Sequence, residues 1–167
     1  MTGVEIVRRP ARRSLLVPAV AGTAATTLVA AGSSAGALLC ALGTVVLLAG
    51  VASARHGLVD GGGLVAFLGI VFAATNGATA GPVVFGTTAT VVAWDAGGNA
   101  ISIGRQLGNR VDSTRVEVVH AVAGAAVGLV TALVGLMLFR VGPTRQPVTT
   151  LFVLLLAAVL LVAALNR

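Results

Sequence analysis

The residues best suited to chemistry in this 167-residue sequence are Asp95, Glu117, His120 and Arg115. Asp95 ends a long apolar stretch, while Glu117 and His120 stand near the start of another. Residues three apart in a helix share a face, so we expect Glu117 and His120 to lie side by side. If the two stretches pack together, Asp95 joins them. Ionisable groups in apolar segments are functional candidates, so these four residues form a candidate polar cluster.

A histidine between carboxylates is suited to relaying protons or to binding a cation. The alternative is structural, because helix caps, interfacial water and arginines such as Arg115 satisfy polar groups near a helix end. His56 lies with Asp60 and three glycines in a polar stretch that we interpret as a solvated loop. That stretch supplies too few ligands for a metal.

Motifs of established chemistry are absent from the sequence. It contains no phosphate loop, zinc-protease pair, haem-attachment motif or serine-nucleophile elbow. The single cysteine, Cys40, lies inside an apolar run and is expected to be a buried small hydrophobe. We therefore predict no enzyme activity, no catalytic residues, no cofactor and no metal.

Composition predicts a membrane environment. Hydrophobic residues make up 57% of the chain and charged residues only 10%, whereas soluble domains are about 25% charged. The net charge of +6 comes from eleven arginines that stand singly or in pairs, apart from a cluster near the N-terminus. This spread favours orientation in a lipid bilayer over nucleic-acid binding.

The apolar segments predict an all-α fold, a polytopic transmembrane helical bundle. A basic N-terminal stretch at residues 1–14 precedes one transmembrane domain at residues 15–167. We expect six spans, at residues 15–31, 36–53, 58–75, 82–98, 116–139 and 148–165. Residues 58–98 could instead form one kinked helix, but Asn76-Gly77 and Gly81-Pro82 favour a turn between two spans.

Arginine positions support six spans with both termini in the cytoplasm, because positive residues collect on the inner side of a membrane. Six spans place nine of the eleven arginines inside, and five spans place seven there. We therefore predict a multi-pass protein of the cell membrane.

The polar segment at residues 100–115 has two interpretations, a short amphipathic helix on the inner membrane surface or a solvated connector. Thr114 and Glu117 have the spacing of a capping box, which predicts a helix start. Trp94 is expected to anchor the chain at the inner interface. Gly124 and Gly128 predict close packing against another helix.

Residues 94–108, WDAGGNAISIGRQLG, are followed by Thr114-Arg115 and by Glu117-Val118-Val119-His120. This pattern resembles one in uncharacterised haloarchaeal membrane proteins associated with gene neighbourhoods of MoxR-type ATPases. The resemblance implies an integral membrane protein that is accessory to a membrane-bound assembly or maturation system. It implies no catalytic residues.

The sequence leaves two hypotheses of function. The first is a non-enzymatic accessory or structural subunit of a membrane complex, in which the inner loop at residues 99–112 contacts a cytoplasmic partner. The alternative is a small permease or channel whose third and fourth spans line a pathway around the turn at residues 76–82. An intramembrane enzyme ranks third because no buried catalytic constellation is apparent.

Overall fold

The computed structural model describes residues 12–107 and 114–142, and these are helical apart from short turns. A 3-10 turn, Arg12–Leu15, leads into the first of five α-helices in these ranges. The helices are α1 (Leu16–Ala30), α2 (Ser34–Ala52), α3 (His56–Thr75), α4 (Ala80–Leu107) and α5 (Thr114–Val141). The predicted all-helical fold class is confirmed for the described residues. The predicted sixth span and residues 1–11 lie outside them.

Four of the described helices are long and apolar enough to cross a membrane: α1 with its 3-10 turn, α2, α3 and α5. Their outward faces carry large apolar side chains, such as Leu38, which is 73% exposed. Exposed apolar surface of this extent is typical of a face that meets lipid or another protein.

Helices α1 to α4 form an antiparallel bundle, in which α1 and α3 each pack against both α2 and α4. Short turns reverse the chain between them, so α1 and α3 begin at the end where α2 and α4 finish. We call this the polar end. The opposite end holds the turns at residues 31–33 and 76–79.

Glycines bring α2 and α3 into close backbone contact. Gly36, Gly43 and Gly50 recur every seven residues on one face of α2, opposite Gly62 and Gly69 of α3. A Cβ atom at Gly69 would lie 2.7 Å from the backbone nitrogen of Cys40, and one at Gly50 would lie 2.6 Å from that of Val59. Small residues at a helix interface permit this approach. This interface was not predicted from the sequence.

The bundle interior holds two apolar clusters. Ala25, Val29, Cys40 and Ile70 are central to the cluster nearer the opposite end. Leu47, Val51, Val59, Ala100 and Ile101 form most of the second cluster, nearer the polar end. Both are formed by residues from at least three helices, so each helix contributes one buried stripe to a shared core.

The short turns carry defined caps. Ser33 precedes α2, and its hydroxyl accepts a hydrogen bond from the Gly36 backbone N–H at 3.1 Å. Gly77 follows α3 with φ +91°, a left-handed conformation that ends the helix. The turn predicted from Asn76-Gly77 is therefore confirmed, and residues 58–98 form two helices. Gly81 and Pro82 belong instead to the first turn of α4, where proline is tolerated.

Two interpretations of polar stretches were wrong. Helix α3 begins at His56, so Asp60 and the following glycines are helical rather than part of a loop. Helix α4 continues to Leu107, so residues 100–107 form neither a separate surface helix nor a connector. The reason is burial: Ala100 and Ile101 pack into the second core cluster, at 2% and 0% exposure.

Helix α5 begins at Thr114, where the capping box predicts a start. Its side chains are mostly exposed, and only a small part of its apolar length is buried. The chain divides into two compact units, Met1–Leu136 and Met137–Arg167, of which the second is described only over residues 137–142, the end of α5 and the residue after it.

Candidate functional site

An open cavity of about 550 Å³ lies toward the polar end of the bundle. Three helices contribute its walls, so it is a product of tertiary packing rather than of one segment. The polar cavity is lined by His56, Asp60, Val91, Trp94, Asp95, Gly98, Asn99, Ser102 and His120. Its volume is in the usual range of small-molecule sites.

Asp95 and His120 are in direct contact at the wall of the polar cavity. His120 Nε2 of α5 lies 2.9 Å from Asp95 Oδ2 of α4, which is hydrogen-bonding distance. The His120 side chain is 51% exposed and the Asp95 side chain is 57% exposed, so water reaches both. When the imidazole is protonated the contact is an ion pair, and when it is neutral it is a hydrogen bond from an Nε2–H tautomer.

Trp94 and Asp60 form a second polar contact at the same level. The indole Nε1–H donates a hydrogen bond to Asp60 Oδ1 at 2.9 Å and so links α4 to α3. The ring lies directly against Gly63, where an added Cβ atom would be 2.7 Å from Trp94 Cε3. Gly63 therefore makes room for the indole. The predicted interfacial anchoring by Trp94 stays a prediction.

The structure brings together two of the four residues in the predicted polar cluster. Asp95 and His120 are in contact, as the sequence analysis anticipated for packed helices. Glu117 is half-buried one turn before His120, and Arg115 is exposed at the start of α5. Neither contributes to the walls of the polar cavity. A role for the cluster in proton transfer remains a prediction.

The contribution of α3 and of the final turns of α4 to the site was not predicted from the sequence. His56 and Asp60 are four residues apart, which places them on one face of α3. Asp95, Asn99 and Ser102 follow one another at intervals of four and three on α4. This periodicity was visible in the sequence, but it was concealed because the first stretch was interpreted as a loop and the second as a surface helix or a connector.

Arg105 lies outside the polar cavity and closes the end of α2. Its guanidinium Nη2 donates a hydrogen bond of 3.4 Å to the carbonyl oxygen of Ala54. Ala54 has φ +56°, and the Arg55 N–H bonds back to the Gly50 carbonyl, which is the pattern of a Schellman cap. The lining of the polar cavity thus has two carboxylates and two imidazoles, with no arginine among its described residues.

Cys40 lies apart from the polar cavity, inside the first core cluster, and is fully buried as expected. Its sulfur accepts a hydrogen bond from the Thr26 hydroxyl at 3.6 Å. The Thr90 side chain approaches the sulfur from α4. Within the described residues the buried Thr90 hydroxyl lacks a partner in hydrogen-bonding geometry.

Two apolar grooves flank α5. One, of about 400 Å³, lies between α4 and α5 and includes Gly124 and Gly128 in its walls. The other, of about 370 Å³, lies between α1, α4 and α5. A Cβ atom at Gly128 would lie 2.8 Å from Thr88 Cγ2, whereas one at Gly124 would have no described atom within 4 Å. The predicted close helix contact is therefore present at Gly128, and among the described residues Gly124 has none.

Metal-ligating side chains are sparse over residues 12–107 and 114–142. No group of three or more His, Cys, Asp or Glu residues in these ranges is placed to hold a metal ion. In the polar cavity, Asp95 is instead hydrogen-bonded to His120, and Asp60 accepts a hydrogen bond from Trp94.

These features define a helical bundle whose apolar helices are compatible with a membrane and whose described Arg, His, Asp and Glu residues, within the first unit, lie toward one end. A family model described as a family of unknown function (DUF7519) matches residues 8–162, and the chain belongs to that family. Comparison with curated proteins and with solved structures gave no match.

Proposed function

We propose that this chain is a multi-pass protein of the cell membrane and a non-enzymatic accessory or structural subunit of a membrane complex. One observation carries the proposal: the described Arg, His, Asp and Glu residues of the first unit all belong to the polar half of the bundle, and the turns at residues 31–33 and 76–79 contain none. A bundle charged at one end only is suited to meeting a soluble or peripheral partner at that end.

The inward orientation of the polar end is inferred from the positive charges that lie there. Arg13, Arg55, Arg105 and Arg115 lie at or near helix termini of the polar end. Positive residues beside membrane spans favour the cytoplasmic side. We therefore place the polar end in the cytoplasm, with both chain termini on the same side and six spans in all.

An accessory role is also favoured by how the nucleophilic side chains are engaged. Ser102 lines the polar cavity, but its hydroxyl donates a hydrogen bond to the Gly98 carbonyl of its own helix at 3.0 Å. Cys40 is sealed in the core. The Asp95 and His120 pair therefore has no free nucleophile among the described cavity residues to activate.

The partner surface begins at the end of α4. Arg105 and Gln106 are exposed, whereas Ala100, Ile101 and Gly104 are buried. Within residues 99–106 of the inner loop, Arg105 and Gln106 are therefore the exposed positions available for contact. The resemblance at residues 94–120 makes a MoxR-type ATPase the first partner to test.

Affinity purification of the tagged full chain in mild detergent tests the proposal. We expect a cytoplasmic protein, such as a MoxR-type ATPase, to co-purify with the wild type and to be lost from the Gln106→Ala, Arg110→Gln variant. Arg13→Gln is the control, because it removes the same charge from a different segment and should retain the partner. Equal recovery with all three chains would contradict the assignment of the loop.

The permease hypothesis has less support from the geometry. Helix α3 has 20 residues and rises about 30 Å, a full membrane thickness. The turn at residues 76–79 therefore joins two complete helices at the end of the bundle and does not interrupt a span at membrane depth. A proteoliposome flux assay remains the direct test of transport.

A further inference from the structure

We propose that the polar cavity binds a small organic cation, and that the carboxylates of Asp60 and Asp95 receive its ammonium or guanidinium group. This inference is independent of the accessory role, since it concerns a ligand and not a protein partner. It depends on the volume, the charge and the unused hydrogen-bonding capacity of the cavity.

Within the described residues, each carboxylate has one oxygen in a polar contact and one without. Asp60 Oδ1 accepts from Trp94, and Asp95 Oδ2 contacts His120. The described residues supply no hydrogen bond to Asp60 Oδ2 or to Asp95 Oδ1. An ionised carboxylate accepts several hydrogen bonds, and those from a cation are charge-assisted. The existing contacts therefore orient both groups without saturating them.

The charged residues that line the polar cavity favour a cation as the ligand. Asp60 and Asp95 both line the cavity, and Arg105, the arginine of α4, is outside the lining and donates a hydrogen bond to the Ala54 carbonyl. An anionic ligand would meet two carboxylates and find no guanidinium among the described lining residues. The two histidines add positive charge only when protonated, and His120 is already directed at Asp95.

The remaining walls favour an organic cation over a bare ion. The cavity volume of about 550 Å³ exceeds what a single ammonium group fills. Val91, Gly98 and the Trp94 ring provide apolar surface beside the carboxylates. An indole also attracts cations electrostatically. A divalent metal is disfavoured because the described residues contain no set of three suitable ligands in reach of one point.

Trp94 supplies a direct reporter, because it is the only tryptophan in the chain and there is no tyrosine. We would titrate the full chain in phosphatidylglycerol nanodiscs with butylammonium and record the emission of Trp94. Equilibrium dialysis with radiolabelled butylammonium gives a second readout that does not depend on the indole. We expect saturable binding by both measurements and none with butyrate.

Two isosteric variants remove the negative charges one at a time. Asp60→Asn and Asp95→Asn should each weaken butylammonium binding about tenfold or more, because each loses a charge-assisted hydrogen bond. Glu117→Gln removes the same charge from a residue outside the cavity and should bind like the wild type. Circular dichroism and size-exclusion profiles establish that each variant is folded.

Nanodiscs of different lipids identify the source of the cation. If phosphatidylethanolamine shifts Trp94 emission and competes with butylammonium, the natural ligand is a lipid headgroup amine. If it neither shifts nor competes while butylammonium still binds, the ligand is a soluble amine. Absence of butylammonium binding in phosphatidylglycerol nanodiscs, or equal affinity in the wild type and both Asp variants, would overturn the proposal.

Discussion

The indole Nε1–H of Trp94 donates a hydrogen bond to Asp60 Oδ1 at 2.9 Å, across 34 positions of sequence. This bond joins α3 and α4 at the level where the polar cavity opens. It also holds the Asp60 carboxylate beside the ring that packs on Gly63. One contact therefore sets the geometry of one wall of the candidate site.

We predict that Trp94→Phe lowers the free energy of unfolding by about 1 to 2 kcal/mol, because it removes the donor of this bond and part of the packing on Gly63. Asp60→Asn keeps an acceptor oxygen and should cost less. Thermal unfolding of both variants in the same detergent measures the difference. A larger loss for Asp60→Asn than for Trp94→Phe would contradict the assigned bond.

The positions of the helices were largely predictable, because each long apolar run in the sequence indicates where a helix lies. The first five predicted spans begin within two residues of the observed helices, as at residue 58 against His56 and residue 116 against Thr114. The end of α4 was not predictable from hydropathy. Its residues Asn99 and Ser102 line the cavity, Arg105 caps α2, and buried Ala100 and Ile101 extend the helix past the apolar run.

One of the two polar contacts in the candidate site could be predicted from the sequence, and the other could not. Asp95 and His120 could be paired because both flank apolar runs that adjoin in the chain. Asp60 and Trp94 meet only because glycines set the registers of the packed helices, and hydropathy carries no information on register. Polar residues that look like a loop in sequence can belong to helices when their partners lie on another element.

The neighbouring glycines Gly61 and Gly62 should respond in opposite ways to alanine. Gly62→Ala would force a Cβ atom to within 2.7 Å of the Gly43 carbonyl oxygen, so we expect a loss of about 1 to 3 kcal/mol from overpacking. A Cβ atom at Gly61 would have no described atom within 4 Å, so Gly61→Ala should gain about 0.5 to 1 kcal/mol from helix propensity. Thermal unfolding of the two variants compares them directly. Similar effects of both would argue against close contact between α2 and α3.

Replacing Ala54 with glycine should increase the stability of the fold. Its φ of +56° is costly for a residue with a Cβ atom, and glycine adopts this conformation freely. We expect Ala54→Gly to raise the free energy of unfolding by about 1 kcal/mol. Ala52→Gly, inside the last turn of α2, is the matched control and should be destabilising.

Helix α5 should be anchored to α4 by two neighbouring contacts, Asp95 with His120 and Thr88 with Gly128. The Thr88→Cys, Gly128→Cys pair should therefore form a disulfide under mild oxidation, since a Cβ at position 128 lies beside the Thr88 side chain. Buried Cys40 does not compete. Gel mobility after limited proteolysis reports the cross-link.

The control pair for this cross-link is Thr88→Cys with Leu129→Cys, because the Leu129 side chain is 48% exposed on another face of α5. Adding His120→Ala to the cross-linking pair should slow disulfide formation, as α5 loses its contact with Asp95. An equal rate with His120 present or absent would show that the Asp95 contact does not hold α5 in place.

Labelling of single cysteines tests the inward orientation of the polar end. Ser53 and Thr79 are both exposed and lie at opposite ends of the bundle, and the native Cys40 is too buried to give a background signal. In intact cells a membrane-impermeant maleimide should label Thr79→Cys at once and Ser53→Cys only after permeabilisation, because arginine-rich ends stay in the cytoplasm. The reverse pattern would place the arginine-bearing end and the polar cavity outside. Immediate labelling of both positions would mean that the bundle does not separate them by a membrane, and the membrane assignment itself would then be wrong.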